Sequence, residues 1–192
     1  MYLVLTAMLA LNVSKEVLDA FTLVDGGLIT TTENFAAKNE SLYNRFAIAY
    51  EQNPEKVGEW RDKAEEVKRR SSELYDFINE CKKEIVLVKE KDAIEDNQVN
   101  LAEVEVKHNT DIPAQIMVVE KKGVELKNRI DEHREYMLSL IGDPEKYATT
   151  TEAIEETLST EIPDIDLEHG SKKGASPTWE STYFEHLPLA AV

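Results

Sequence analysis

The sequence predicts an all-α protein in which a single transmembrane helix continues into a helical bundle. Three observations predict it. Glycine (7 residues) and proline (6) are sparse in a chain of 192, as long uninterrupted helices require. Residues 1–13, MYLVLTAMLALNV, carry no charge. From Val17 onward, apolar residues recur at alternating intervals of three and four, the spacing of a buried helix face or a heptad seam.

The uncharged segment covers only about 20 Å of a hydrocarbon core about 30 Å thick, at about 1.5 Å per helical residue. The same period runs on through Val17, Leu18, Phe21 and Val24, so the segment reads as the end of a longer helix. A transmembrane helix that begins upstream of Met1 fits better than two alternatives, a signal-peptide core and a buried core helix. A signal peptide opens on positive charge, and the first cation here is Lys15. The charges after the apolar run, Lys15, Glu16, Asp19, Asp25 and Glu33, lean acidic and do not make a positive-inside anchor. The bulk of the chain is therefore expected outside the inner membrane, in a bacterium the periplasm. The expected division is a transmembrane helix over 1–20, truncated at its N-terminus, and a periplasmic helical-bundle domain over 21–192. That domain is expected to be incomplete at its C-terminus, where the apolar run Leu187–Val192 stops in mid-pattern.

Within the bundle, one helix is expected from the membrane to about Gln52, with Val17, Phe21, Val24, Leu28, Phe35, Leu42, Phe46 and Ala49 on one face. Asp25-Gly26-Gly27 is its weak point, since each glycine costs about 1 kcal/mol relative to alanine. Asn53-Pro54-Glu55 marks a restart, with Asn53 as N-cap and Pro54 in the first helical position. The second helix carries the cleanest seam: Val57, Trp60, Ala64, Val67, Ser71, Leu74, Ile78, Cys81, Ile85 and Val88. Residues 92–112 lose that period, and the alternation around Val99, Leu101, Val104 and Val106 predicts a short strand or extended loop. Pro113 and Gly123 bracket the apolar run Ile116–Val119. Helical spacing then resumes through Leu126, Ile130, His133, Met137 and Leu140 up to Gly142. Asp143-Pro144-Glu145 predicts the start of a shorter helix, and 159–177 a loop.

Charge and motifs exclude much. With 22 basic against 38 acidic residues the net charge is −16, which disfavours nucleic-acid binding by phosphate neutralisation. The single cysteine, Cys81, precludes an intramolecular disulfide and a cysteine-cluster metal site. His108, His133, His169 and His186 are scattered, and no nucleotide-binding, zinc-protease or hydrolase motif occurs. Glu155 and Glu156 are adjacent on a helix and point about 100° apart, so they do not converge on a substrate. The expectation is a non-enzymatic protein with no catalytic residues, cofactor or metal. Tyr2, Thr6 and Asn12 are the candidate site residues, because polar groups among lipid-compatible neighbours are costly unless they contact another helix. Lys15 and Glu16 are candidates for pairing between subunits at the membrane interface.

The string MYLVLTAMLALNVSKEVLDAF followed by Glu33-Asn34-Phe35 closely resembles the start of the GldM/PorM family of the type IX secretion system and gliding machinery. Asp111-Ile112-Pro113 leading to Ile116-Met117, and Trp179 with the run His186–Val192, extend the resemblance over nearly the whole chain. The resemblance implies one inner-membrane helix, with the N-terminus cytoplasmic, and a first helical periplasmic domain. It further implies pairing with a second copy of itself and passage of the two membrane helices through a ring of GldL/PorL-like subunits. Outer-membrane or periplasmic secretion and gliding components are the implied distal partners. The implied function is that of a motor subunit driven by the proton-motive force, transmitting torque or conformational change to power secretion and gliding. The family's basic residues just before the MYLV-like segment have no counterpart here. The competing expectation is a membrane-anchored periplasmic helical-bundle sensor that binds a small ligand between helices.

Overall fold

The computed structural model describes residues 14–162 and 177–192. In chain order it contains α1 (Lys15–Gln52), α2 (Pro54–Leu87), β1 (Ile94–Glu95), β2 (Gln98–Val99), a helical turn α3 (Asp111–Pro113) running into a π-helical turn (Ala114–Val119), α4 (Lys122–Ser139), α5 (Ala148–Thr157), α6 (Trp179–Phe184) and a closing 3-10 turn (Leu189–Ala191). The described residues are thus mostly helical, as expected, and none of their helices is long and apolar enough to cross a membrane. Of the predicted transmembrane segment 1–20, residues 1–13 lie outside the described residues, and 15–20 form the first turns of α1, where only Leu18 is buried.

The α1–α2 junction forms as its residues predict. Asn53 Oδ1 accepts the Lys56 backbone N–H at 3.1 Å, and Pro54 opens α2, where its missing N–H leaves no bond unmade. At Gly26–Gly27 the helix continues without interruption. There Thr30 and Thr31 donate their hydroxyls to the carbonyls of Gly26 and Gly27.

The chain divides into two compact units, and α1, α2 and α4 contribute residues to both. The first comprises residues 1–25, 78–127 and 161–192. Nearly all of the buried apolar side chains belong to it: Leu18, Cys81, Ile85, Val86, Val99, Leu101, Val104, Ile112, Ile116, Met117, Leu126, Phe184 and Leu189 among them. Its irregular stretch resolves into a two-residue hairpin, Ile94 opposite Val99, turned by Asp96 and Asn97 at φ 47 and 66°. Two consecutive positive φ values match the strand twist, and Asp and Asn tolerate them better than most residues. The loop that follows is tied down by one carboxylate. Glu90 accepts the backbone N–H of Glu105 at 2.7 Å and that of Val106 at 2.6 Å.

The chain's last residues are part of this core. Leu189 N–H donates to the Asn109 carbonyl at 2.8 Å and Ala190 N–H to that of Lys107 at 3.1 Å, with Leu189 and Ala190 buried. Ahead of them Thr178 and Ser181 cap α6 reciprocally. Trp179 packs on Tyr183 and edge-on to Phe184, with ring centroids 5.3 and 5.6 Å apart.

Gly123 is where α4 starts against α6. A Cβ placed there would lie 2.6 Å from the Glu180 Cβ and 2.7 Å from the Met117 carbonyl oxygen. Since neither atom is the end of a flexible side chain, backbone must shift. Gly123→Ala is expected to lower stability by about 1–3 kcal/mol, read as a fall in melting temperature of roughly 2–4 °C per kcal/mol.

The second unit comprises residues 26–77 and 128–160. Its only buried residues are Phe77, His133 and Thr160. Thr160 joins the end of the unit to α4: its hydroxyl donates to Asp131 at 2.6 Å, and Arg134 reaches Asp131 at 2.7 Å and the Leu158 carbonyl at 2.8 Å. The shorter helix α5 begins at Ala148 instead of directly after Asp143-Pro144-Glu145. Asp143 Oδ1 accepts the Lys146 N–H and closes a turn first.

Candidate functional site

The second unit places its apolar surface outside. Along α1, Leu28, Phe35 and Leu42 stand at intervals of seven residues and are 60, 57 and 50% exposed. Seven residues is two helical turns to within about 20°, so the three form one stripe. A different face of α1 meets α2, largely through long polar and aromatic side chains. Lys68 Nζ is 2.9 Å from the Glu40 carboxylate and 4.8 Å from the Tyr43 ring centre, and the Arg61 guanidinium lies 4.0 Å over the Tyr50 ring. Burial pushes the Tyr43 hydroxyl to a higher pKa, with the Lys68 ammonium opposing it. Exposed ion pairs contribute about 0–1 kcal/mol each, and cation–π contacts about 0.5–1 kcal/mol at exposed sites. This hairpin is therefore held by many weak contacts around a very small core.

Near the hairpin's turn the stripe opens into a groove of about 650 Å³ lined by Leu42, Phe46, Ile48, Ala49, Val57 and Trp60 together with the polar Arg45, Gln52 and Lys56. Trp60 was expected in the α2 seam but is 57% exposed, with Lys63 Nζ 4.8 Å from its ring. The seam also shifts further along α2. Phe77 is buried where Ile78 was expected, and Val86 is buried while Val88 is exposed. The buried positions Phe77, Cys81 and Ile85 are four residues apart, so the covered side of this stretch does not follow the alternating three-and-four count. Cys81 does lie in the core, and burial pushes its thiol up to about 11.

Of the site residues expected from sequence, Tyr2, Thr6 and Asn12 lie outside the described residues. Lys15 and Glu16 form the exposed first turn of α1. The Glu16 carboxyl is held below its usual pKa by its own backbone N–H and by the Ser14 hydroxyl, so its contacts here are those of a helix start. The exposed stripe itself was legible as a period of apolar residues. That it faces outward was not, because a helical pattern does not say which of two apolar neighbours covers it.

What this arrangement offers chemically is contact surface. An unpartnered apolar stripe on a unit with three buried residues suits a protein partner, and no converging set of reactive groups accompanies it among the described residues. A comparison with curated proteins finds no match. The family model described as the GldM N-terminal domain matches residues 16–192, nearly the whole described chain, and the chain belongs to that family.

Proposed function

We propose that this chain is a non-enzymatic structural subunit of the gliding and type IX secretion machinery, anchored in the inner membrane by the segment that ends near residue 20. The match to the GldM N-terminal domain over residues 16–192 carries this reading. On it, the domain from residue 21 onward stands in the periplasm, and the N-terminus faces the cytoplasm. Tyr2, Thr6 and Asn12 meet a ring of GldL/PorL-like subunits or a second copy's membrane helix, and Lys15 and Glu16 pair between subunits at the interface. The long α1, about 57 Å at 1.5 Å per residue, suits transmission of torque or conformational change from a proton-driven ring towards outer-membrane partners.

The homodimer is the part of this reading that the described surface supports. The Leu28, Phe35 and Leu42 stripe has the spacing by which two helices pack, and two chains anchored at the same end would align their stripes in parallel. The groove beside it is of small-ligand size and favours the alternative, a ligand sensor. It is open, though, and shares Leu42 with the stripe, which fits protein contact better. Two measurements test the proposal. Membrane complexes purified through this chain should contain it as a dimer, together with a small two-helix membrane protein in excess; a lone monomer would sink the reading. The Phe35→Glu, Leu42→Glu double variant should sediment as a monomer with unchanged helicity, and a dimer that survives it would place the interface elsewhere.

A further inference from the structure

The second unit contains a buried histidine with an unusual setting. His133, on α4, is 9% exposed. Its Nε2 lies 3.3 Å from Ser71 Oγ on α2, a hydrogen bond available in either tautomer, while its buried Nδ1 meets no polar partner among the described residues. The ring borders a cavity of about 70 Å³ that Arg70, Glu73 and Leu74 line from α2 and Arg129 and Glu132 from α4.

Three of the four charges around it are engaged with other groups, and Glu132 is the fourth. Arg70 is ion-paired with Glu66 and lies over the Tyr136 ring, 4.2 Å from its centre. The Arg129 guanidinium sits 4.2 Å over the Phe77 ring. Glu73 is paired with Arg69. Neither Glu73 nor Glu132 forms an ion pair with the imidazole, and the charge that acts on the ring is that of Arg70. A neutral imidazole fits this layer and an imidazolium does not.

We propose that His133 is a proton-sensitive latch between α2 and α4: neutral, it closes the layer through Ser71, and protonated, it opens that layer by placing a buried charge beside Arg70. Burial first, and the Arg70 charge second, hold the ring's pKa below its usual value. The sign follows from linkage. The folded state binds this proton less readily than the unfolded chain, whose histidine titrates near 6.5. The stabilisation is therefore complete above that pH and is lost as pH falls through the folded-state value. With only two other buried residues in the unit, the loosening is confined to a layer that has little else to hold it.

Two measurements on the intact chain test this. In a histidine-ring NMR titration assigned by triple resonance, His133 should titrate below the usual histidine value. Amide exchange at residues 70–74 and 129–136, corrected for intrinsic rates, should be roughly tenfold faster at pH 5.5 than at pH 7.5, the factor that 1.4 kcal/mol represents. His133→Gln, which keeps a polar group towards Ser71 and cannot take up the proton, should abolish that pH dependence. A His133 that titrates at or above the usual value overturns the latch, and so does an exchange pattern that persists in the glutamine variant. The titration needs no variant, so it decides the question even if His133→Gln fails to fold.

Discussion

Truncating Phe77 to alanine is expected to lower the stability of the chain by about 3–5 kcal/mol, the range for a buried aromatic that leaves a cavity. Phe77 is 5% exposed and is the only buried large apolar side chain of the second unit. Its ring also carries the Arg129 guanidinium at 4.2 Å, a contact of about 0.5–2 kcal/mol depending on desolvation. Urea unfolding should show the midpoint falling with little change in slope, since the surface exposed on unfolding is nearly the same. Phe77→Leu separates the two contributions, because it removes the ring face but keeps most of the volume. A loss for Phe77→Ala below about 1 kcal/mol, the size of a typical point-mutant effect, would mean that the hairpin contacts of α1 and α2 hold the unit without this side chain.

In the first unit the corresponding position is Met117, among the largest fully buried side chains. Met117→Ala is expected to cost about 2–5 kcal/mol, and Met117→Leu less than about 1.5 kcal/mol because it keeps the volume. The position is sensitive for a second reason. Met117 lies in the π-helical turn Ala114–Val119, where the Glu120 N–H donates back five residues to the Gln115 carbonyl at 2.9 Å. A helix that carries an extra residue per turn is held by what packs against it rather than by its own ladder. Because the Met117 carbonyl is also what a side chain at 123 would strike, Met117→Ala combined with Gly123→Ala should depart from the sum of the two losses. Thermal melts of both single variants and the double variant measure that departure.

Local chemistry made parts of this fold legible. Asn53-Pro54 named a helix start correctly because capping and the missing proline N–H are properties of two adjacent residues. His133 and Cys81 read as core positions because helical spacing put them on an apolar face. The GldM likeness was legible in short strings whose family membership a match over residues 16–192 then carried. The π-helical turn was not legible, since its apolar run Ile116–Val119 has the composition of an ordinary buried helix. The hairpin turn at Asp96–Asn97 was only half legible: the alternation showed extended chain, but two-residue strands are too short to produce a period. What the apolar run Leu187–Val192 packs against was not legible either. Its Leu189 and Ala190 are in fact buried against the backbone of residues 107–109, a pairing between segments about 80 residues apart in sequence.

The sequence by itself determined the helical class, the α1–α2 boundary, the uncharged first 13 residues, the absence of a recognisable catalytic motif and the family. Each of these rests on residues close together in the chain or on a string long enough to be specific. Only the tertiary structure decided which apolar positions are covered. It buried Phe77 and exposed Ile78, gave the first unit nearly all of the core, and left Leu28, Phe35 and Leu42 bare on a second unit with three buried residues. The physical reason is that a helical period specifies a face and not its neighbour. Burial depends on what other segments bring to that face, and here they bring a core to one unit and leave an open surface on the other.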